Sequence, residues 1–212
     1  MRYYTSDTHY GHQNIIRYCN RPYADVAQMN GDLVARATRS LAPGDELWHL
    51  GDVALGHLDE TLTHLAAIET SVTLVAGNHD RCHPSNGKRA EGFSEVYRER
   101  CQLSELILTN TTLTLSNGAS VRLSHFPYAD PSLNGAEDRH GEVISDRFAP
   151  WRVSDKGEWL LCGHVHERWR QRGCMINVGV DAWGGNSVSE DTIIELIEAG
   201  PNDLPPLAWE PS

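Results

Sequence analysis

Basic residues are scarce in this chain: 18 Lys and Arg face 29 Asp and Glu, a formal charge of −11. A broad grip on a nucleic-acid backbone needs clustered Lys and Arg, so no extended nucleic-acid binding is expected. The same imbalance argues against an anionic membrane surface. No apolar run approaches the roughly 20 residues of a membrane helix, and the opening Met1-Arg2-Tyr3-Tyr4-Thr5-Ser6-Asp7 lacks the apolar core of a secretory leader. No membrane association is therefore expected. Cysteine is sparse and odd in number (Cys19, Cys82, Cys101, Cys162, Cys174), with no C-x-x-C pair. That excludes a simple disulfide framework and suits a reduced, cytoplasmic chain. Internal repeats and low-complexity blocks are also missing. What is there is a globular composition, 40% hydrophobic and 22% charged over 212 residues. At about 150 residues per domain this favours one domain spanning residues 1–212.

Apolar runs and helical periodicities alternate through the first half. Arg2 to Ser6 reads as a strand, and Asn14 to Cys19 as one or two helical turns broken by Asn20-Arg21-Pro22. Val26, Met29, Leu33, Val34, Ala37 and Leu41 recur at three and four, an amphipathic helix. Glu46 to Leu50 is a strand. Asp59 to Ile68 is a second helix with Asp59 as its cap, and Ser71 to Ala76 a third strand. Strand and helix in alternation predict an α/β layered fold. In the second half Thr111–Leu115 and Ala119–Ser124 flank Asn117-Gly118, a hairpin signal. Pro127 to Trp151 reads as a long polar loop of the kind that often serves function. Trp159–Cys162 and Cys174–Val178 are strands, Ser189 to Glu198 is a helix capped by Ser189, and the tail from Pro201 is irregular.

Coordinating residues follow the strands repeatedly: Asp7-Thr8-His9, Gly51-Asp52, Asn78-His79-Asp80, His125 and His164-Val165-His166. Loops beyond strand ends hold the sites of layered α/β folds. Taken singly, Asp7 could be a helix cap, His125 a turn residue and Asn78 an Asx-turn residue. A G-H-x-H run arises by chance about 0.05 times in a chain of this composition, and G-N-H-D about 0.003 times. Five such fragments at five strand exits are therefore read as one site. His12 and Asn14, close behind His9, are candidate substrate-binding residues. His49, His57, His64, His83 and His140 are read as surface or packing residues, Cys82 and Cys162 as packing residues, and Trp183 as either a cleft or a core residue.

Together these fragments resemble the calcineurin-like metallophosphoesterase family, whose pattern is D-x-H, G-D, G-N-H-D/E, H and G-H-x-H. The match runs from Asp7 to His166, and the opening Ser6-Asp7-Thr8-His9-Tyr10-Gly11-His12 is similar to a compact prokaryotic or phage branch. The resemblance implies a β-sandwich of two mixed sheets flanked by helices, with a dimetal site at the strand ends. It implies that Asp7, His9 and His166 bind one ion, that Asn78, His125 and His164 bind the other, and that Asp52 bridges. It also implies that His79 is a catalytic histidine outside the metal shells, which Asp80 could orient. Val53-Ala54 after Gly51-Asp52, and Asp80 in place of Glu, depart from the protein serine/threonine phosphatases and argue against that activity.

The donor chemistry supports the same expectation. Asp, His and Asn without Cys suit two divalent ions per chain, Mn²⁺ favoured over Fe²⁺ or Zn²⁺. Two ions about 3.5–4 Å apart activate water and neutralise phosphoryl charge. A positive pocket in an acidic protein suits a small phosphoester. The expected activity is a phosphodiesterase acting on small nucleotide-type diesters such as cyclic nucleotides. The rivals are a phosphomonoesterase or pyrophosphohydrolase on the same site, a nuclease, and an inactive interaction scaffold.

Overall fold

In the computed structural model, which describes residues 1–129 and 146–209, the parallel strands β1 (Arg2–Thr5), β2 (Glu46–His49), β3 (Ser71–Val75) and β4 (Glu105–Ile107) lie side by side in one sheet. The connections between them are helical: α1 (Gln13–Tyr18) and α2 (Val26–Ser40), then α3 (Leu58–Thr61) and α4 (Thr63–Ala66), then α5 (Phe93–Arg100). The second sheet holds β5 (Asn110–Thr114), β6 (Ser120–Ser124), β7 (Trp159–Cys162), β8 (Gln171–Gly173) and β9 (Met175–Asn177). Strand β10 (Val188–Ser189) closes the β1 edge of the first sheet antiparallel, α6 (Glu190–Ala199) follows, and β11 (Asn202–Leu204) closes the β8 edge of the second. Both sheets are mixed, as the resemblance implied.

The period of two along each strand decides which face meets which layer. Tyr4, Trp48 and Val75 point toward the second sheet, where they share a core with Val121, Leu123, Leu161 and Ile176. Their neighbours Leu47, Val72 and Leu74 point the other way, into a core with Met29, Leu33 and Ala37 of α2. Leu160 and Cys162, on the opposite face of β7 from Leu161, pack with Tyr128 and Val153. The sheets are thus stacked face to face, with helices on the outside of the first. Ser6 pairs with Gly179 and accepts from the Val180 N–H at 3.1 Å, tying the two sheets together beside the site.

Some local readings change. The helix expected over Asp59–Ile68 is two short ones joined at Leu62, and its first cap is His57, with no side-chain cap bond. Asp59 instead pairs with Arg100 at 2.9 Å on the surface. The tail is not wholly irregular, since Asn202–Leu204 pairs with β8. Ser189 does cap α6, accepting from the Thr192 N–H at 3.2 Å. Within the loop expected over Pro127–Trp151, residues 130–145, including His140, lie outside the described residues.

Candidate metal centre

All five expected fragments emerge from C-terminal strand ends on one side of the sandwich: Asp7 to His9 after β1, Asp52 after β2, Asn78 to Asp80 after β3, His125 after β6, and His164 and His166 after β7. Backbone bonds continue the sheet pairing into these loops. The Asp7 N–H donates to Gly51 O at 2.9 Å, the His9 N–H to Asp52 O at 3.1 Å and the Gly163 N–H to His125 O at 3.0 Å.

The loops then turn sharply. Seven non-glycine residues among those described have positive φ, and five of them are candidate ligands: Asp7, His9, Asp52, His164 and His166. Asp, Asn and His tolerate the left-handed region better than branched residues, but such a conformation still costs energy and tends to collect where function requires it. Close approach adds to the constraint. A Cβ on Gly163 would run into the Ser6 hydroxyl and lie 2.5 Å from Asp7 Oδ2. Only glycine lets the β7 loop come down onto the β1 loop.

Asp7, His9 and His166 bring donor atoms within 4.8 Å of one another, and so do Asp7, Asp52 and His125. Asp52 Oδ2 lies 3.7 Å from His9 Nε2 and 3.4 Å from His125 Nε2, facing both groups. Asp7 belongs to both triads, and Asp52 faces a histidine of each. Asn78 Oδ1 is 3.1 Å from His125 Nε2, and the His164 ring stands edge-on to His125 at 5.2 Å.

Ring orientation follows from the acceptors behind each histidine. Leu50 O can only accept, so His125 Nδ1 carries the proton of that 2.8 Å bond and Nε2 faces the site. Asp181 Oδ2 accepts from His166 Nδ1 at 2.8 Å, which turns Nε2 toward Asp7 Oδ1, 3.9 Å away. A metal-binding histidine commonly gives its other N–H to a carboxylate or carbonyl in this way.

The residues fit a divalent pair. Asp7 Oδ1 and both ring nitrogens of His9 are buried without a hydrogen-bond partner, a costly arrangement that coordinated cations would relieve. Burial holds His9 and His164 well below the ordinary imidazole range. Burial also disfavours the Asp52 anion, but His125 and the neighbouring histidines outweigh it and keep that carboxyl well below its usual value. Neutral His and ionised Asp are the forms a metal requires. Three groups differ in the absence of ions: Asp52 raises His125 to about 9 and Asp7 raises His166, both against burial, while burial pushes the Asp7 carboxyl up. The two triads offer nitrogen and oxygen donors, which suit Mn²⁺, Fe²⁺ or Zn²⁺.

The expected roles of three residues change or divide. Asp80 does not orient His79. Its buried carboxylate accepts from the backbone N–H groups of Gly77 (2.8 Å), Asp52 (2.8 Å) and Val53 (3.0 Å), pinning the β2 loop to the β3 loop. Of the two proposed substrate-binding residues, His12 lines the cleft over the site, with its ring 5.5 Å from His9. Asn14 is exposed on α1 and is not among the cleft residues. His79 is exposed; its backbone N–H donates to Asp52 Oδ1 at 2.8 Å while its ring stands edge-on to His9 at 5.3 Å. Trp183 is a core residue, with its indole N–H donating to Asn177 O at 2.6 Å.

Other parts of the site went unread in the sequence. Arg21, fully buried, forms a fork onto Asp181 at 2.8 and 2.9 Å and also donates to Asp7 O and Thr8 O at 2.7 and 2.9 Å. Asp181 follows a strand exit, the signal that found the other carboxylates, whereas nothing local marks Arg21. His49, read as surface or packing, is buried and joins two loops. Thr8 Oγ1 donates to Val53 O, so it accepts from His49 Nε2, while His49 Nδ1 accepts from the Gly51 N–H at 3.2 Å. Burial lowers its pKa to about 3 and keeps the ring neutral in that role.

Asp52→Asn is expected to lower occupancy of both ions, whereas His9→Ala spares the one nearer His125. Elemental analysis of Mn²⁺-loaded protein checks this. Two ions retained in Asp52→Asn would rule out a shared role for that carboxylate.

Comparison with known proteins agrees with this geometry. Residues 3–188 match the model of the calcineurin-like phosphoesterase superfamily domain. The gene 66 protein of Mycobacterium phage L5 is 31% identical over 206 residues, covering 92% of this chain and 93% of its own length. An uncharacterized protein of Methanocaldococcus jannaschii is 26% identical, with 93% of this chain and 92% of that protein covered. Among solved structures, a protein of unknown function from Aquifex aeolicus aligns with a TM-score of 0.63 at 28% identity, covering 92% of this chain and 98% of that one. With a domain model spanning most of its length and the site built from the matching motifs, the chain belongs to the calcineurin-like phosphoesterase superfamily.

Proposed function

We propose that this member of a metal-dependent phosphohydrolase superfamily is a phosphodiesterase for small nucleotide-type diesters, cyclic nucleotides included, with Mn²⁺ as the favoured ion. The observation that carries the reading is the cleft over the metal centre. It has a volume of about 730 Å³, with His9, His164 and His166 in its lining beside His79 and with Tyr18, Tyr128, Trp169 and Met175 elsewhere on its walls. A phosphate group alone needs far less room, and ligand sites of this size take drug-sized molecules. Organic groups on both sides of the phosphorus fit such a cleft, which favours a diester over a monoester. The chain carries every candidate ligand together with His79, which disfavours an inactive scaffold.

When bound, the ions would supply an ionised water near neutral pH and stabilise charge on the phosphoryl oxygens. The chain does the rest. Asp52, held by the His79 N–H, and His166, held by Asp181, keep fixed positions. The His79 ring is free to give a proton to the departing oxygen. Phe126 and Phe148 pack against His164 at 5.0 and 5.7 Å and screen that side from water. The five cysteines are free, which supports a reducing, cytoplasmic setting.

The test is a hydrolysis panel with Mn²⁺: bis(4-nitrophenyl) phosphate, 4-nitrophenyl phosphate, 2′,3′-cyclic and 3′,5′-cyclic nucleotides, a dinucleoside pyrophosphate and single-stranded DNA. Small diesters are expected to lead in kcat/KM by about tenfold or more, the worth of one extra productive contact. Faster cleavage of the monoester or the pyrophosphate would replace the reading by the corresponding rival. Tight oligonucleotide binding that falls steeply with salt would make the protein a nuclease.

A further inference from the structure

Between His166 and β9 the chain reads Arg168-Trp169-Arg170-Gln171-Arg172, with arginines at alternate positions. Arg170 turns inward, its guanidinium 5.0 Å from the Trp183 ring. Arg168 and Arg172 are exposed, and both line the catalytic cleft with Trp169 between them. Among the described residues neither has a hydrogen-bond or ion-pair partner, in a chain where acidic groups outnumber basic ones 29 to 18. Arg152, the third arginine of the cleft, is different: it is held by Asp146 and by Pro127 O. The same Arg168, Trp169 and Arg172 also border an adjoining groove of about 430 Å³, so the cleft continues past them.

The segment is held rigidly to the metal centre. The Asn177 side-chain amide donates to His166 O and Trp169 O, both at 2.8 Å, so one residue fixes both ends of the turn that carries Arg168. The Trp169 side chain packs on the core of Tyr128, Val153 and Leu160. Two guanidinium groups without a partner among the described residues, flanking a seated indole, make a surface for a phosphate beside a base or sugar, since guanidinium binds phosphate in two-point fashion and aromatic faces accept bases.

Resting on the phosphodiesterase reading, we infer that the substrate is a nucleotide diester carrying a second phosphate, which Arg168 and Arg172 bind while Trp169 supports the adjoining nucleoside. Of the acids near this wall, Asp155 accepts from the Gly157 N–H at 2.8 Å and Asp203 from the Gly173 N–H at 3.1 Å.

The probe pair is the dinucleotide TpT and its 5′-phosphorylated form pTpT, which share one diester and differ by a terminal phosphate. With Mn²⁺-loaded full-length protein, kcat/KM for pTpT is expected to exceed that for TpT by about 10- to 100-fold, the range for one charge-assisted contact or more. In Arg168→Gln/Arg172→Gln the ratio falls to near one, and in the double Lys variant an intermediate ratio returns. Calorimetric binding of thymidine 5′-phosphate bearing a further 3′-phosphate (pTp), a ligand without a diester, gives a second readout, with affinity expected to fall about tenfold or more in the Gln variant. A wild-type ratio near one, or a ratio untouched by the Gln variant, overturns the inference while leaving the diesterase reading intact. If neither dinucleotide nor bis(4-nitrophenyl) phosphate is cleaved, the diesterase reading fails, and unchanged pTp binding in the Gln variant then decides against the arginine subsite.

Discussion

Arg21→Met is expected to lower the thermal midpoint by about 10 °C. The guanidinium is buried in a fork onto Asp181 at 2.8 and 2.9 Å, with further bonds to the carbonyls of Asp7 and Thr8. Removing one partner of such a pair strands the other charge and costs about 3–5 kcal/mol. In a domain of this size each kcal/mol moves the midpoint by about 2–4 °C. The pair acts on the site as well as on stability. Burial disfavours the Asp181 anion, but Arg21 and His166 outweigh this and hold its carboxyl down to about 2, so it stays charged to receive the His166 Nδ1 proton. The double variant Arg21→Met/Asp181→Leu separates the two roles. With both charges gone, it is expected to recover at least half of the lost stability, the remainder reflecting the unsatisfied carbonyls of Asp7 and Thr8. His166 then has no acceptor behind it, and affinity for the ion nearer Asp7 and His9 is expected to drop about 10- to 100-fold. Calorimetric melting and Mn²⁺ titration measure the two effects. A double variant as unstable as the single would place the effect in the carbonyl contacts. Unchanged Mn²⁺ affinity would leave Asp181 without an orienting role.

Arg21 shows what local sequence reading misses. The residue sits in Asn20-Arg21-Pro22, which reads as a helix stop, and it does end α1. Its partner lies 160 residues away, and no spacing rule reaches across that distance. The candidate ligands were legible because each follows a strand and carries metal-binding chemistry, so that type and position coincide in one short fragment. Asp80 was legible as part of the site but not in its role. G-N-H-D places a carboxylate beside His79, and only the folded loops reveal that three backbone N–H groups occupy it. Strands β3 and β7 were readable as short, largely apolar runs, as buried strands of parallel sheets are, while β1 and β2 mix polar with apolar residues and were marked by the Asp7 and Gly51-Asp52 exits that follow them. Strands β8, β10 and β11 are two or three residues long and formed by pairing with neighbours, so the signal for them lies in the partner strand and not in their own residues. The face-to-face stacking of the sheets likewise came from the family resemblance, because alternation within a strand shows that two faces are buried without saying what covers each.

His79→Gln is expected to retain both ions and the fold while losing about 10²- to 10⁴-fold in kcat on a cyclic nucleotide, the usual worth of acid–base assistance. The main chain of residue 79 is structural: its N–H holds Asp52 Oδ1 at 2.8 Å, and a glutamine backbone does the same. The side chain is a separate matter. It is exposed in the cleft lining, and its ring meets His9 edge-on without a hydrogen bond to any described residue. A ring so placed can meet a substrate oxygen without disturbing the ligands beneath it. If it supplies the proton to that oxygen, its value depends on how badly the leaving group needs one. A ribose alkoxide departs poorly without a proton, whereas nitrophenolate departs readily, so on bis(4-nitrophenyl) phosphate the same variant is expected to lose less than about tenfold. Elemental analysis fixes the metal content of the variant before rates are compared, so that a lost ion is not mistaken for a lost acid. Equal losses on both substrates with full metal content would mean that the ring stabilises charge on the phosphoryl oxygens instead, a contribution that does not depend on the leaving group. The same experiment separates His79 from Asp80. Asn at position 80 has a single oxygen for three N–H groups, so Asp80→Asn is expected to loosen the loops of both Asp52 and Asn78, and its loss should appear in metal content and on both substrates alike.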